Sequence, residues 1–253
     1  MLTKNNIIRI CSLADKQGRK SEGMFVAEGY KLVSEMLESD FTVREIYALP
    51  EIIDSLPFFD NIYEVTPKQM ERISNLKTPS NVVAVIELPQ WEYRLEDIKD
   101  KLTIALDGIQ DPGNLGTIIR LADWFGVENI FCSMNCADCF NPKVVQATMG
   151  AVSRVKVHYC DLQEALSQAA GSGIPIYGAF LEGGNIYKTE LFQSAIVLMG
   201  SEGKGISPAL ERYVSDKIYI PPYPREGGVS ESLNVAVATA IVCSEIRRRV
   251  LAR

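Results

Sequence analysis

Apolar residues recur at two different spacings along the N-terminal third of the chain. Short runs rich in β-branched residues predict strands at 24–27, 44–49, 62–65 and 82–87. Apolar positions three and four residues apart predict helices at 3–13, 29–37 and 67–73 and near Ile52, whereas 17–23 is predicted to be a polar loop. Strands that alternate with helices in this way are typical of a compact α/β unit.

The remainder of the chain repeats the alternation over a longer stretch. Strands are predicted at 103–106, 130–131, 155–159, 174–179, 196–199 and 218–220, and helices at 114–125, 144–149, 162–170, 208–214 and 233–249. Short apolar strands separated by helices predict a mostly parallel sheet that is covered on both faces. Residues 88–101 carry Pro89, Trp91 and alternating charges and are typical of a linker. We therefore expect two domains, 1–95 and 96–253.

Composition limits where the chain works. No segment approaches about 20 uninterrupted apolar residues, so no membrane span is expected. The N-terminus lacks the apolar region of a secretion signal, which predicts a cytoplasmic protein. Six cysteines without an obvious disulfide framework suit a reducing compartment.

Charge gives no support to nucleic-acid binding. The net charge is −6, and residues 1–95 hold 11 basic against 14 acidic side chains. Because nucleic-acid binding usually leaves a basic footprint, any such surface must be a local patch. The candidates are three small clusters of basic residues, each of which is also consistent with an ordinary solvated face. They are Lys16, Arg19 and Lys20; Lys143, Arg154 and Lys156; and Arg247, Arg248 and Arg249.

Three stretches carry residues suited to chemistry. The first runs from a strand end through Asp-Pro-Gly to a helix with Asn114 and Arg120. The second is the glycine-rich loop Gly-Ser-Glu-Gly-Lys-Gly at 200–205, and the third is Ser-Leu-Asn-Val at 232–235, where Ser232 stands at a suitable helix N-cap position. The glycine-rich loop lacks the spacing of a phosphate-binding P-loop, and no G-x-G-x-x-G occurs, so nucleotide hydrolysis and Rossmann cofactors are poor fits.

Taken in this order, N-x-G-x-x-x-R, G-S-E-G-x-G and S-L-N-V resemble the motifs of the SpoU (TrmH-type) RNA 2′-O-ribose methyltransferases of the SPOUT superfamily. The resemblance implies an α/β SPOUT-type domain with a deep trefoil knot, S-adenosylmethionine as cofactor and a homodimer formed through the C-terminal domain. The N-terminal sequence GRKSEGMFVAEGYKLVSEML is similar to the small substrate-binding domain of many SpoU enzymes, which has a ribosomal-protein L30e-like α/β fold. Ribosomal RNA is then the favoured substrate, with transfer RNA as the alternative.

The same resemblance assigns roles to residues. It implies that six residues contact the cofactor, largely through their main chains: Leu198, Gly200, Glu202, Gly203, Ile220 and Leu233. It implies catalytic positions, which are Asn114, Arg120, Glu202, Ser232 and Asn234. Since guanidinium hardly ever releases its proton, Arg120 is expected to clamp a phosphate and stabilise the 2′-alkoxide. Glu202 is expected either to pair with Arg120 or to face the sulfonium, and Ser232 either to serve the site or only to cap the helix.

Two further features bear on the site. The family commonly has a shorter loop where residues 221–231 stand here, which leaves the contacts of this segment open. Four cysteines (Cys132, Cys136, Cys139, Cys160) could in principle bind zinc together with His158, but their spacing matches no standard zinc finger and no metal is expected. A rival of another class is an RNA-binding assembly factor that keeps the fold without turnover.

Overall fold

The computed structural model describes residues 2–223 and 231–251, without the side chains of residues 250 and 251. Contacts divide the chain into two compact units. The first consists of Met1–Gln90 together with Asp138–Arg154, and the second of Trp91–Ala137 together with Val155–Arg253. A segment from the middle of the chain therefore belongs to the same unit as the N-terminal residues.

The elements of both units follow in chain order. The strands are β1 (Met24–Glu28), β2 (Val43–Ala48), β3 (Ile62–Glu64), β4 (Val82–Glu87), β5 (Leu102–Asp107), β6 (Asn129–Cys132), β7 (Lys156–Tyr159), β8 (Ile176–Asn185), β9 (Ala195–Gly200) and β10 (Asp216–Tyr219). The helices are α1 (Lys4–Ser12), α2 (Lys16–Glu22), α3 (Tyr30–Leu37), α4 (Pro50–Ile53), α5 (Pro67–Ile73), α6 (Leu95–Ile98), α7 (Pro112–Trp124), α8 (Pro142–Thr148), α9 (Leu162–Gly171), α10 (Pro208–Glu211) and α11 (Val235–Leu251).

The first unit is built on a four-stranded sheet in the order β1-β4-β2-β3, in which β4 runs antiparallel to both of its neighbours. Helices α1 and α5 pack on it through a buried apolar cluster that includes Ile10, Tyr47 and Met70. The segment 138–154 packs against the edge strand β1, where the ring of Phe140 lies 4.6 Å from that of Phe25. The α/β character that the pattern predicts for this region is confirmed.

The predicted polar loop at 17–23 is wrong, because these residues lie in helix α2. A glycine is required within this helix, since a Cβ at Gly18 would lie 1.9 Å from the carbonyl oxygen of Ser12. The helix ends at Gly23, whose φ of 65° is the left-handed conformation that glycine adopts readily. The pattern misleads because the residue that α2 buries is Arg19, so no apolar stripe marks the helix.

The second unit contains a six-stranded sheet in the order β10-β8-β9-β5-β6-β7, and all its strand pairs are parallel. Helices α9 and α10 pack on it through a core that includes Phe131, Leu166 and Leu198. Helix α11 packs against α7 and β9. The predicted mostly parallel sheet is confirmed, and the carboxyl ends of β5 and β9 lie side by side, with Asp107 opposite Gly200.

Some boundaries differ from the predicted ones. Strand β8 runs to Asn185, beyond the predicted end at 179, because glycine at 183 allows the backbone of Lys217 to come close. A Cβ at Gly183 would lie 2.6 Å from the Lys217 carbonyl oxygen. The predicted linker at 88–101 contains helix α6, whose Ile98 is buried in the core of the second unit.

His158 is a core residue of this unit. Its Nε2 lies 2.9 Å from Oδ1 of Asn129, and the rings of Tyr93 and Phe131 pack around it. Burial, aided by the charge of Lys156, lowers the pKa of His158 from 6.5 to about 4, so the imidazole is neutral at pH 7. Within residues 2–223 and 231–251, the helices are all too short or too polar to cross a bilayer.

Candidate active site

The first part of the site is the start of helix α7, directly after β5. Asp111 caps this helix by accepting a hydrogen bond from the backbone N–H of Asn114 at 2.7 Å, and Pro112 occupies the first helical turn. The cap fixes where Asn114 lies, half-buried in that first turn. The helix therefore begins at Pro112, two residues before the predicted start at 114, and Asp111 is its cap.

The second part is the loop that follows β9. It closes on itself, since the Gly205 N–H donates to the Ser201 carbonyl at 2.8 Å. A Cβ at Gly200 would lie 2.0 Å from the carbonyl carbon of Gly205, so no larger residue fits position 200. Asp107 ties this loop to β5 by accepting the N–H of Ser207 at 2.7 Å. The glycine at 200 is needed by the loop's own backbone, whatever ligand approaches it.

The third part is the start of helix α11, where the predicted N-cap at Ser232 is wrong. The cap is Asn234, whose Oδ1 accepts the N–H groups of Ala236 at 3.0 Å and Val237 at 3.3 Å. Ser232 is exposed and makes no hydrogen bond within the described part of the chain. Both serine and asparagine are good N-cap residues, so the sequence alone does not separate two candidates that stand two positions apart.

Glu202 joins the three parts through one oxygen. Its Oε1 accepts Nδ2–H groups of Asn234 at 2.7 Å and Asn114 at 3.2 Å, and the backbone N–H of Val235 at 3.3 Å. The amide of Asn234 also donates to Oδ1 of Asn114 at 2.8 Å. The three contacts link a loop, a helix start and a second helix start around a single carboxylate. Its other oxygen, Oε2, has no hydrogen-bond partner among the residues described.

Arg120 lies on the same helix as Asn114, six residues further on, and is exposed. The expected pairing of Glu202 with Arg120 is not seen: over residues 2–223 and 231–251 no ion pair or hydrogen bond of Arg120 occurs. Glu202 instead engages two neutral amides. A charged guanidinium with five uncommitted donors is therefore available for an anion, for which its planar fork is well suited.

The positions with implied cofactor contacts differ in what they expose. Leu198 is fully buried in the core of the sheet, so its side chain cannot meet a ligand. Gly203 has open space around it, Ile220 is half-buried and Leu233 is about half exposed. Of the loop at 221–231, residues 224–230 lie outside the described part of the chain.

The residues after β5 form a further contact that the sequence did not suggest. Sγ of Cys136 accepts the N–H of Ile109 at 3.3 Å, and the Gly108 N–H donates to Oγ of Ser133 at 2.9 Å. A hydrogen bond from Cys132, helped by those from Ser133 and the nearby backbone, lowers the pKa of Cys136 to about 6 despite burial. Ser133 and Cys136 thus hold the turn after β5 that leads towards Asn114. In the described chain, no three His, Cys, Asp or Glu side chains converge as metal ligands would.

Several candidates for a basic patch serve the scaffold instead. Arg19 is 2% exposed and paired with Asp138, and Arg154 pairs with Glu35. Arg247 donates to the carbonyls of Phe125 and Gly126 at the end of α7, and Arg249 donates to those of Ile186 and Thr189. Both Arg248 and Arg249 also pair with Glu245, and the hydrogen bond from Arg248 is the chief cause that lowers the pKa of this carboxyl to about 2.

Comparison with known proteins assigns the chain to a family. Residues 101–244 match the sequence model of the SpoU rRNA Methylase family, and residues 4–84 match that of the MRM3-like substrate binding domain. The 23S rRNA (guanosine(2553)-2′-O)-methyltransferase RlmP of Bacillus subtilis is 33% identical over 239 residues, which is 93% of each chain.

Solved structures agree with these matches. A TrmH-family protein from Porphyromonas gingivalis superposes with a TM-score of 0.90 at 40% identity, over 98% of this chain and 99% of that one. An AdoMet-bound rRNA methyltransferase from Sinorhizobium meliloti superposes with a TM-score of 0.85 at 28% identity, over 99% and 97%. With its three motifs gathered around Glu202, the chain belongs to the SpoU rRNA methylase family.

Proposed function

We propose that this protein transfers a methyl group from S-adenosylmethionine to a ribose 2′-hydroxyl of RNA, with ribosomal RNA as the favoured substrate. The observation that carries the proposal is the cluster of Asn114, Glu202 and Asn234, with an uncommitted Arg120 on the helix of Asn114, in a SpoU family chain. The names of the relatives, which include a 23S rRNA 2′-O-methyltransferase, support the substrate class.

The cofactor would lie along the loop after β9 and the residues before α11. Main-chain groups at Gly200, Gly203 and Ile220 would hold it, with the exposed apolar side chain of Leu233 against one of its faces. Oε2 of Glu202 is left to face its cationic sulfur, since Oε1 takes the amides. The cofactor supplies an activated methyl group, so the protein's task is to bring the ribose oxygen into line.

Arg120 would bind the phosphate next to the target ribose and stabilise the charge that develops on the 2′-oxygen. Because a guanidinium keeps its proton at any ordinary pH, that phosphate or a water takes the proton of the hydroxyl. Asn114 and Asn234 keep Glu202 in place and complete the pocket wall. Ser232, which is exposed near this wall, is available to the ribose because it does not cap the helix.

RNA docking and methyl transfer are assigned to different parts of the chain, following the two family matches. Residues 1–95 would dock structured RNA and would have an L30e-like fold; the match to a substrate binding domain supports the RNA-docking role. Residues 96–253 would carry the cofactor and the chemistry. A trefoil knot is proposed for this part because β10 lies at the far edge of the sheet, beyond β8, while the following helix α11 returns to β9 and α7.

A homodimer formed through α7 and α11 is proposed from what these helices leave exposed. They pack together, yet Trp124 of α7 is 84% exposed and Val237 of α11 is 49% exposed. Large apolar side chains that remain exposed on packed helices favour a subunit interface. Light scattering at tens of micromolar should give a dimer, and a Trp124→Glu/Val237→Glu variant should give a monomer. A wild-type monomer would contradict this.

The test of the function combines binding with mapping. Calorimetry should show S-adenosylmethionine binding at micromolar levels, with stabilisation of the fold. Mapping of 2′-O-methyl groups in RNA from cells with and without the gene should reveal one lost site in ribosomal RNA. A lost site in transfer RNA would reassign the substrate, and binding of RNA without any lost site would favour an assembly factor. The cytoplasm is the proposed location, because the 23S rRNA methyltransferase relative is a protein of a bacterium, where ribosomes lie in the cytoplasm.

A further inference from the structure

The first unit contains a cleft of about 170 Å³ beside the edge strand β1. One wall comes from residues of the N-terminal region, among them Ala14, Val26 and Asn75, and the other from Asn141, Lys143 and Gln146 around helix α8. The two walls lie in the two sequence stretches that match different family models. Such a volume is small for a drug-sized ligand but can hold several waters or one planar ring.

Several polar side chains that line this cleft keep unused hydrogen-bond donors or acceptors. Asn75 and Asn141 each use one end of the amide within the protein: Nδ2 of Asn75 donates to Glu28 at 3.1 Å, and Oδ1 of Asn141 accepts the Lys143 N–H at 2.9 Å. Their other ends, the amide of Gln146 and the Lys143 ammonium make no hydrogen bond within residues 2–223 and 231–251. The cleft therefore offers unused donors and acceptors between apolar walls.

The walls are held rigidly by buried charges. Oε1 of Glu28, which is 4% exposed, also accepts the backbone N–H of Asn75 at 2.7 Å, so the position of Asn75 is fixed. On the other side, Arg19 donates to the carbonyl of Ala14 at 2.8 Å and to the carboxylate of Asp138 at 2.5 Å. The carbonyl of Asp138 accepts the Asn141 N–H at 3.0 Å. One buried arginine thus joins both walls, which preorganises the cleft for a ligand.

We infer that this cleft binds a single unstacked nucleobase of the RNA substrate, with Lys143 at the adjoining phosphate. Side-chain amides match the donor and acceptor edges of a base, and the apolar walls match its faces, which is how proteins read single-stranded RNA. The inference rests on the proposed function, because it takes RNA as the substrate. It adds that the segment 138–154 of the methylase sequence shares in recognising that RNA.

Two variants test the two halves of the site. Binding of a protein-free 23S ribosomal RNA transcript is followed by fluorescence anisotropy over a series of salt concentrations. Lys143→Ala should weaken binding and reduce the slope of log K against log salt by about 1, as expected for one lost phosphate contact. Gln146→Ala should raise Kd about tenfold without changing that slope, because it removes a base contact.

The matched controls are Lys68→Ala on α5 and Gln17→Ala on α2, both exposed residues of the same unit outside the cleft. They should bind the transcript as the wild type does, and all four variants should keep the wild-type melting temperature and S-adenosylmethionine affinity. If Lys143→Ala and Gln146→Ala bind RNA no worse than their controls, the cleft is not a base site. A wild-type protein that binds no S-adenosylmethionine would instead refute the proposed function.

Discussion

Two arginines, one in each unit, show opposite uses of the same side chain. Arg19 is 2% exposed, and its guanidinium donates to the carboxylate of Asp138 and to the carbonyls of Leu13 and Ala14. Arg120 is exposed, and within the described chain it makes no hydrogen bond or ion pair. The first guanidinium uses four of its five donors within the fold, whereas all the donors of the second remain for a ligand.

The same contrast separates the surroundings of the two residues. Around Arg19 the guanidinium is paired with Asp138, whereas the Gln146 amide, Nδ2 of Asn141 and the Lys143 ammonium make no hydrogen bond within the described chain. In the active site the amides of Asn114 and Asn234 are paired with Glu202, and the cation is left over. Under the proposals made above, the groups that each site does not use to hold itself together indicate its ligand: a base with its phosphate in the first unit and a phosphate in the second.

The largest expected effect is on stability, from removal of Arg19. Arg19→Met leaves the Asp138 carboxylate and two carbonyls without their donor, which should lower the free energy of unfolding by about 3–5 kcal/mol. Urea unfolding followed by circular dichroism measures this. Lys20→Ala, an exposed neighbour on α2, should change stability by less than about 0.5 kcal/mol.

A double variant separates the contribution of the Arg19–Asp138 ion pair from that of the carbonyl contacts. If the loss comes from an uncompensated charge, Arg19→Met/Asp138→Leu should recover a large part of it, since apolar pairs often replace buried ion pairs well. A double variant as unstable as the single one would mean that the carbonyl contacts dominate. In that case Arg19 would act as a brace for Leu13 and Ala14 and not as a partner for Asp138.

The next largest expected effect concerns Glu202, where two substitutions separate the role of its hydrogen bonds from the role of its negative charge. Glu202→Ala removes the acceptor of three donors and should weaken S-adenosylmethionine binding about 10- to 100-fold. Glu202→Gln keeps an oxygen at the position of Oε1 and should recover most of that loss if the carboxylate mainly holds the loop and the two asparagines together. Calorimetry on both variants measures it. A Gln variant as weak as the Ala variant would show that the negative charge itself holds the cofactor.

The smallest effect comes from His158, a buried titratable group outside the active site. Its pKa is lowered from 6.5 to about 4, so the unfolded chain binds the proton more readily than the folded one. The stability it contributes is complete above pH 6.5 and is lost as pH falls towards 4. Wild type should lose about 2 kcal/mol more than His158→Phe between pH 8 and pH 5, measured by urea unfolding. Parallel pH profiles would show that folding does not lower the pKa of His158.

The positions of most strands, the mostly parallel sheet of the second unit and the three motifs were accessible from sequence, because apolar runs report burial and because the glycine and asparagine positions are set by local backbone needs. Gly200 is an example: its place in the loop requires a residue without a side chain, and the sequence marks it. The helix at α2 was missed because its buried residue is charged. Periodicity recognises apolar faces only, and an ion pair such as that of Arg19 with Asp138 joins positions that are far apart in sequence.

The hydrogen-bond partners within the active site could not be predicted from the sequence either. A carboxylate and an arginine in neighbouring motifs suggest an ion pair, yet Glu202 meets Asn114 and Asn234. Which partners meet depends on how α7, α11 and the loop after β9 converge, and no local pattern encodes that convergence. Likewise, Arg247 and Arg249 look like a basic patch in sequence, but they close the ends of other elements by donating to backbone carbonyls.

The most direct test of the account is single-turnover methylation by Arg120→Ala, with S-adenosylmethionine affinity measured on the same protein. Since Arg120 is uncommitted within the described chain and the proposed cofactor contacts lie elsewhere, the affinity should stay close to that of the wild type. The rate should fall by at least about 100-fold, the usual scale for loss of one preorganised charge donor. Arg120→Lys should recover part of the rate with an unchanged pH profile. A near-normal rate in Arg120→Ala, or a Lys variant whose profile moves to lower pH, would contradict the account.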